Sequence, residues 1–282
     1  METVPGLTPF TILYATDPHG SESAYDRLFK EADRVAADAV VLGGDLTPHA
    51  DIRGQGLFLR EWLRPRLEKF RQNNPTIRVF GLLGNDDWIA NLADFTALEH
   101  DGLLFGLHRQ IHTLAPDLWI AGCSFVPVTP FGISDWDRLD SATSIPPAKR
   151  RGPLFSDSGS IESGSMDTIL NRATVSDTLA EIATMSPPAK TVYVIHTPPH
   201  NTKLDRMYDD IHIGSESVRR FIEKHQPPLT LHGHIHESPH VSGSIADELG
   251  QTVMINPGDS REKLRAIVIK IAEGNVTWKA LE

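Results

Sequence analysis

The sequence predicts an α/β domain in which the early strands run parallel and a second sheet packs on the first. Three observations predict it. Short apolar, β-rich runs recur along the chain, helix-patterned stretches alternate with them, and most runs stop at Gly, Asp, Asn or His. Residues 10–16 (FTILYAT) form the first run and end at Asp17-Pro18-His19-Gly20. Residues 23–36 follow as a helix, with Leu28, Ala32, Val35 and Ala36 on one side and Ser21 as a cap. Residues 39–42 lead into Gly43-Gly44-Asp45. A second helix is expected over 57–72, carrying Phe58, Trp62, Leu67 and Phe70, with a kink at Pro65. Residues 78–83 end at Gly84-Asn85-Asp86-Asp87, and residues 119–121 at Gly122. Further helices fit 166–185 and 215–224, the latter capped by Ser215. Between them, residues 191–195 (TVYVI) end at His196. Residues 229–231 enter His232-Gly233-His234-Ile235-His236, and 252–255 enter Asn256-Pro257-Gly258. Residues 265–271 and 276–280 read as a closing hairpin around Gly274-Asn275.

Composition bounds the function. The chain has 282 residues, is 40% apolar, and carries 27 basic against 37 acidic residues, a net charge of −10. That supports a sizeable core and argues against a protein that holds nucleic acid mainly through its phosphates. The single cysteine, Cys123, excludes a disulfide framework and a cysteine-rich zinc module. No apolar run is long enough to span a bilayer, and METVPGLTPF lacks the pattern of a secretory signal. A cytoplasmic location is the expectation. With no internal repeat and no strong linker, residues 1–282 are expected to form a single domain. The stretch 131–165, rich in Pro, Ser, Gly and Asp, is expected to be a loop-rich insertion: a lid, a binding loop or a mobile surface segment.

The strand ends carry the chemistry. Ligands of open α/β sheets bind outside the carboxyl ends of the strands. Asp17, His19, Asp45, Asn85, His196, His234 and His236 are all expected there. Imidazole and carboxylate bind Zn, Fe, Mn and related ions. One ion needs three or four ligands, so these seven suit two ions sharing a carboxylate. Asp17 and His19 are two apart, as are His234 and His236, so each pair can face one way at an extended end. A metal pair clamps a phosphate and lowers the pKa of a bound water, and the resulting hydroxide attacks phosphorus in line. Each signal alone has an ordinary reading: a surface turn for Asp-x-His, a cap for Asp45, a left-handed turn residue for Asn85, a core histidine for His196.

The order D-x-H, G-D, G-N-x-D, H, G-H-x-H, from Asp17 to His236, resembles the calcineurin-like metallophosphoesterases. The resemblance implies a four-layer α/β/β/α sandwich of two mixed sheets with a dinuclear centre at one rim. It implies that Asp17, His19 and His236 hold one metal, that Asn85, His196 and His234 hold the other, and that Asp45 bridges them. The metals (Mn, Fe, Zn or Ni) would be divalent or trivalent, and the bridging hydroxide would be the nucleophile. The chain departs from the family at Asp86, where many members have a His that serves the leaving group; Asp87, the partner that would orient it, remains. An ionised Asp86 repels a dianionic monoester more than a monoanionic diester, so a diester is the expected substrate. His200 is either a loop histidine at the rim or close enough to reach substrate or replace the missing acid, and His232 alternates toward the same side as His234, where it could support a metal ligand.

Two stretches, 125–131 and Asp135-Trp136-Asp137, either pack between sheet and loop or offer an apolar wall for a leaving group, and Lys149-Arg150-Arg151 is either a solvated run or charge for a second phosphate. Asp209, Asp210 and His212 read as a solvated turn. The expected partner is a small phosphate ester or nucleotide, with no strong nucleic-acid binding and no membrane. A phosphomonoesterase, a nuclease and a non-catalytic metal-binding scaffold on the same fold are the competing functions. A nuclease would want a basic groove, which the sequence does not show plainly.

Overall fold

The computed structural model describes residues 9–146, 152–272 and 274–281. Two six-stranded sheets face each other. The first contains β1 (Phe10–Ala15), β2 (Ala39–Leu42), β3 (Arg78–Gly81) and β4 (Phe105–Gly106), all parallel. The second contains β5 (Ile111–Ala115), β6 (Leu118–Cys123), β11 (Thr191–Ile195), β12 (Leu229–Leu231), β13 (Ala246–Leu249) and β14 (Thr252–Ile255). Its strands β6, β11, β12 and β14 are parallel, and β5 and β13 are antiparallel edges. The closing hairpin, β15 (Ile267–Ala272) and β16 (Asn275–Ala280), returns to the first sheet and adds antiparallel to β1.

Alternation along the strands makes the layers. Ile12, Tyr14, Val41 and Phe80 of the first sheet pack on Ile120, Val192, Val194 and Leu231 of the second, and all are buried. Leu13, Ala15, Val40 and Leu42 point the other way. They join the cluster that buries Ala24, Tyr25, Leu28 and Ala32 of helix α1 (Glu22–Arg34) and Phe95 and Leu98 of helix α4 (Leu92–His100). On the outer face of the second sheet, helix α7 (Glu216–His225) lays Phe221 against Tyr193, ring centroids 4.9 Å apart. The arrangement is the expected α/β/β/α sandwich, with every parallel strand delivering its C-terminal end to one rim. No helix among the described residues is long and apolar enough to cross a membrane.

Three expectations change. The helix over 57–72 is longer and composite. It runs as α2 (Ile52–Leu57), a π-helical stretch over Phe58–Leu63, and α3 (Arg64–Asn73). Pro65 cannot donate to the preceding turn, so the helix widens ahead of it instead of ending. The helix over 166–185 is two helices, α5 (Met166–Leu170) and α6 (Val175–Ile182), the second opened by a reciprocal Thr174–Asp177 capping box. The described residues of 131–165 include short pairings, and Asp135-Trp136-Asp137 does not form the expected wall. The stretch carries β8 (Asp137–Arg138), which pairs with β7 (Val126–Pro127), and a hairpin of β9 (Leu154–Phe155) and β10 (Glu162–Ser163). The buried Asp135 carboxylate accepts hydrogen bonds from Ile89 N at 3.0 Å and from Ser156 N and Oγ at 2.9 and 2.6 Å. Trp136 is buried rather than forming a wall, and its indole donates to Asp87 O at 2.7 Å. Lys149-Arg150-Arg151 lies outside the described residues.

A buried histidine gives the fold an acid sensitivity. His108 packs edge-on against Phe125 and Trp136 and accepts from Ser124 N at 3.0 Å. Burial, then the charges of Arg109 and Arg138, push it down to about 3. Its folded pKa is therefore below that of the unfolded chain. The unfolded state takes up the proton first, and stability falls as pH drops below about 6.5. Urea unfolding between pH 7 and 5 should show His108→Gln losing up to about 1.4 kcal/mol per pH unit less than the parent at the acid end. Parallel slopes for the two proteins would refute this assignment.

Candidate metal centre

The backbone at the rim is forced into unusual shapes. Asp17, His19, Asp45 and His234 all have positive φ, at 50°, 43°, 50° and 66°. Non-glycine residues occupy this region at a cost on the order of 1 kcal/mol each, and such strain clusters at functional sites. The surrounding structure over-determines it. Asp17 N donates to Gly44 O and His19 N to Asp45 O, locking the ends of β1 and β2 together. Gly233 N donates to His196 O, locking β12 to β11. A Cβ on Gly84 would collide with an Asp45 carboxylate oxygen, and one on Gly233 would collide with Asp17 Oδ2. These two glycines let neighbouring turns close on the carboxylates.

The side chains converge in two groups. Donor atoms of Asp17, His19, Asp45 and His236 lie within 4.8 Å of one another. His236 Nε2 is 3.0 Å from Asp17 Oδ1 and 3.4 Å from His19 Nε2. In the second group, Asn85 Oδ1 is 2.6 Å from His234 Nδ1 and 3.1 Å from His196 Nε2. Asp45 lies between the groups: its Oδ2 is 3.4 Å from His196 Nε2, and its Oδ1 accepts from Asp86 N at 2.8 Å. All seven sequence-derived residues thus meet at one rim. Asp17, His19, Asp45, Asn85 and His196 are buried there, and His234 and His236 are partly open.

The electrostatics call for cations. Burial opposes ionisation of Asp17 and Asp45, but His236 and His196 outweigh it and hold both carboxyls below the ordinary range. Burial likewise opposes the charge on His196 and His236, and the two aspartates override it, raising the imidazoles to about 10 and 9. Two imidazolium charges therefore neutralise two buried carboxylates. Metal ions would do the same with these same donor atoms. His19 Nδ1 is buried without a hydrogen-bond partner, an orphan that a ligand would satisfy. Oxygen and imidazole nitrogen in this mixture fit Zn, Fe, Mn or Ni.

Neighbouring residues hold these groups in place. His196 Nδ1 donates to Gly43 O at 2.8 Å, which leaves Nε2 facing the centre. His232 does not reach the centre. Its Nδ1 donates to Ile195 O and Thr197 O, gripping the backbone on both sides of His196. Asn256 donates to Gly233 O and Ile235 O, bracing the turn that carries His234 and His236. Asp87 does not orient a side chain at position 86. Its carboxylate accepts from Leu46 N, Thr47 N and Gly84 N at 3.0, 2.9 and 2.8 Å, and from the Thr47 hydroxyl.

Of the expected catalytic residues, His200 is directed elsewhere and Asp86 is at the centre. His200 is directed to the buried Asp205, with Nδ1 3.6 Å from its carboxylate, and stacks edge-on with His212. None of the seven residues is among its contacts, so a role as replacement acid has no geometric support. His212 is likewise tied to Asp205, at 2.7 Å, rather than solvated. Asp86 does stand at the mouth, accepting from Asn85 Nδ2 at 2.9 Å. Burial, then the charges of Asp45 and Asp87, push it up to about 8; cationic charge at the centre acts in the opposite direction. His49, which the sequence reading missed, stacks on His19 with centroids 4.4 Å apart and places Nδ1 3.5 Å from Asp86 Oδ2. The only signal for it was a histidine four residues beyond Asp45.

The sequence profile of the calcineurin-like phosphoesterases matches residues 10–238, which include all seven convergent side chains. The chain belongs to this family. Its members' fold is also seen in solved structures similar to this calcineurin-like phosphoesterase. TT1561 of Thermus thermophilus superposes with a TM-score of 0.59 at 17% identity, over 98% of this chain and 100% of that one. A dimetal phosphatase from Danio rerio gives 0.54 at 13% identity, over 97% and 96%. An uncharacterized protein, MJ1162 of Methanocaldococcus jannaschii, is 37% identical over 73 residues. That match covers 24% of this chain and 31% of the relative.

Proposed function

We propose that this calcineurin-like phosphoesterase is a dinuclear phosphodiesterase acting on a small phosphate diester. The observation that carries the reading is the convergence of two donor groups on Asp45. In this reading Asp17, His19 and His236 hold one metal, Asn85, His196 and His234 hold the other, and Asp45 serves both. When bound, the metals supply positive charge that polarises the phosphate ester and lowers the pKa of a water. The chain supplies the geometry. Gly43 O and the Ile195–Thr197 backbone fix His196, and Asp87 fixes the turns of Asp45 and Asn85. The burial of Asp17, His19 and Asp45 excludes bulk water and strengthens every charge interaction there.

The diester preference rests on Asp86. It sits at the mouth beside His49, where many relatives present a histidine. With metal charge at the centre offsetting the upward push on its pKa, the ionised Asp86 carboxylate disfavours a dianionic ester more than a monoanionic one. With two metals bound, the protein is expected to turn over bis(p-nitrophenyl) phosphate faster than p-nitrophenyl phosphate. Asp86→His should shift the ratio of the two turnovers toward the monoester by about tenfold, a change of roughly 1.4 kcal/mol. An unchanged ratio, with both metals still bound, would remove the argument for a diester.

A further inference from the structure

A cavity among the described residues is lined by none of the seven convergent residues. Its volume is about 390 Å³, within the range of small-molecule sites. Three arginines line it: Arg109, Arg138 and Arg172. Three acidic residues line it too, but each is already committed. Glu181 forms a bidentate pair with Arg109, Asp157 pairs with Arg172 at 3.3 Å, and Asp177 is held in the Thr174 capping box. Among the described residues, no carboxylate lies within ion-pair distance of Arg138.

Arg138 is an unusual residue to leave in that condition. It is 7% exposed, its guanidinium lies 3.8 Å over the Phe125 ring, and one of its nitrogens donates to the carbonyls of Asp135 and Asp137. Burial, then the like charge of Arg172, lowers it to about 10, with the charges of Asp137 and Asp135 acting the other way, so it stays charged at neutral pH. A buried, charged group without a close counter-ion is costly unless something pairs with it. Arg172 faces the same space. It lies over Phe155 at 4.7 Å and donates to the same Asp135 carbonyl as Arg138. Both forks are held by aromatic rings and a shared backbone oxygen, Arg138 also by Asp137 O and Arg172 by the exposed Asp157, so little side-chain freedom is left to lose on binding.

We propose that this cavity is a non-catalytic binding site for a small organic phosphate, whose anionic head is held by Arg138 and Arg172. Guanidinium forks match the tetrahedral phosphate with paired, charge-assisted hydrogen bonds. The site owes nothing to metal chemistry, so it stands or falls independently of the phosphodiesterase reading.

The test uses phenylphosphonate, which cannot be hydrolysed at phosphorus, with inorganic phosphate as the second probe. Calorimetric titration of the metal-loaded protein should show two phenylphosphonate sites per chain. Arg138→Gln and Arg172→Gln should each abolish one site or weaken it at least tenfold, leaving the other site and diester turnover unchanged. Asp45→Asn should remove the metal-centre site and retain the arginine site. Inorganic phosphate binding the arginine site as tightly as phenylphosphonate would contradict an organic ligand. Binding that persists unchanged in both arginine variants, or that is lost entirely in Asp45→Asn, would overturn the proposal. Arg172 is more exposed than Arg138, so its variant keeps the test decisive if Arg138→Gln fails to fold.

Discussion

Asp45→Asn is expected to leave the protein folded and almost without turnover. The carboxylate stands between both donor groups, 3.4 Å from His196 Nε2 and within the cluster of Asp17, His19 and His236. A carboxamide keeps the shape and can still accept from Asp86 N, so the turn that carries it should persist. What disappears is the negative charge. The loss of a shared metal ligand should remove several kcal/mol of transition-state stabilisation, so turnover should fall by about a thousandfold or more. Metal analysis should show fewer than two ions per chain. Near-normal turnover with two ions bound would mean that Asp45 does not bridge them.

Asp87→Ala is expected to act through the fold rather than through the chemistry. Asp87 is buried, and three backbone N–H groups depend on its carboxylate, from Leu46, Thr47 and Gly84. Removing it leaves those donors unsatisfied at about 1–3 kcal/mol each, and the total should reach several kcal/mol even after some relaxation. The turns holding Asp45 and Asn85 then lose their common tie. Denaturation should show the stability loss, and metal affinity should drop with it. Asp87→Asn should recover part of the stability, because one carboxamide oxygen still accepts. A variant as stable as the parent but catalytically dead would place Asp87 in the chemistry instead.

The strand ends were readable in the sequence for a physical reason. A buried parallel strand must be apolar for its whole length, and the residue that leaves the sheet must turn sharply. Apolar runs that stop at Gly-Asp, Gly-Asn or His therefore mark both the end of the strand and the position of the side chain. That is how Asp45, Asn85 and His196 could be found from local pattern alone. Edge strands such as β5 have a mixed burial pattern and gave no such signal. The order around Asp135 is not legible in the sequence, because it comes from long-range bonds, to Ile89 N and Asp87 O, that composition does not encode. His49 was missed for the same reason. Its place beside His19 and Asp86 depends on how the loop after β2 folds back over the rim. The task of Asp87 is hidden in the sequence too, since its neighbours in space are turn amides rather than a side chain at position 86.

The central claim is that a pair of cations shares Asp45. Anomalous diffraction from crystals loaded with Mn or Zn tests it most directly. Two peaks about 3.5–4 Å apart, one among Asp17, His19 and His236 and one among Asn85, His196 and His234, with Asp45 touching both, are the predicted result. A single peak, or density centred on His49 and Asp86 with none beside Asn85, would contradict it.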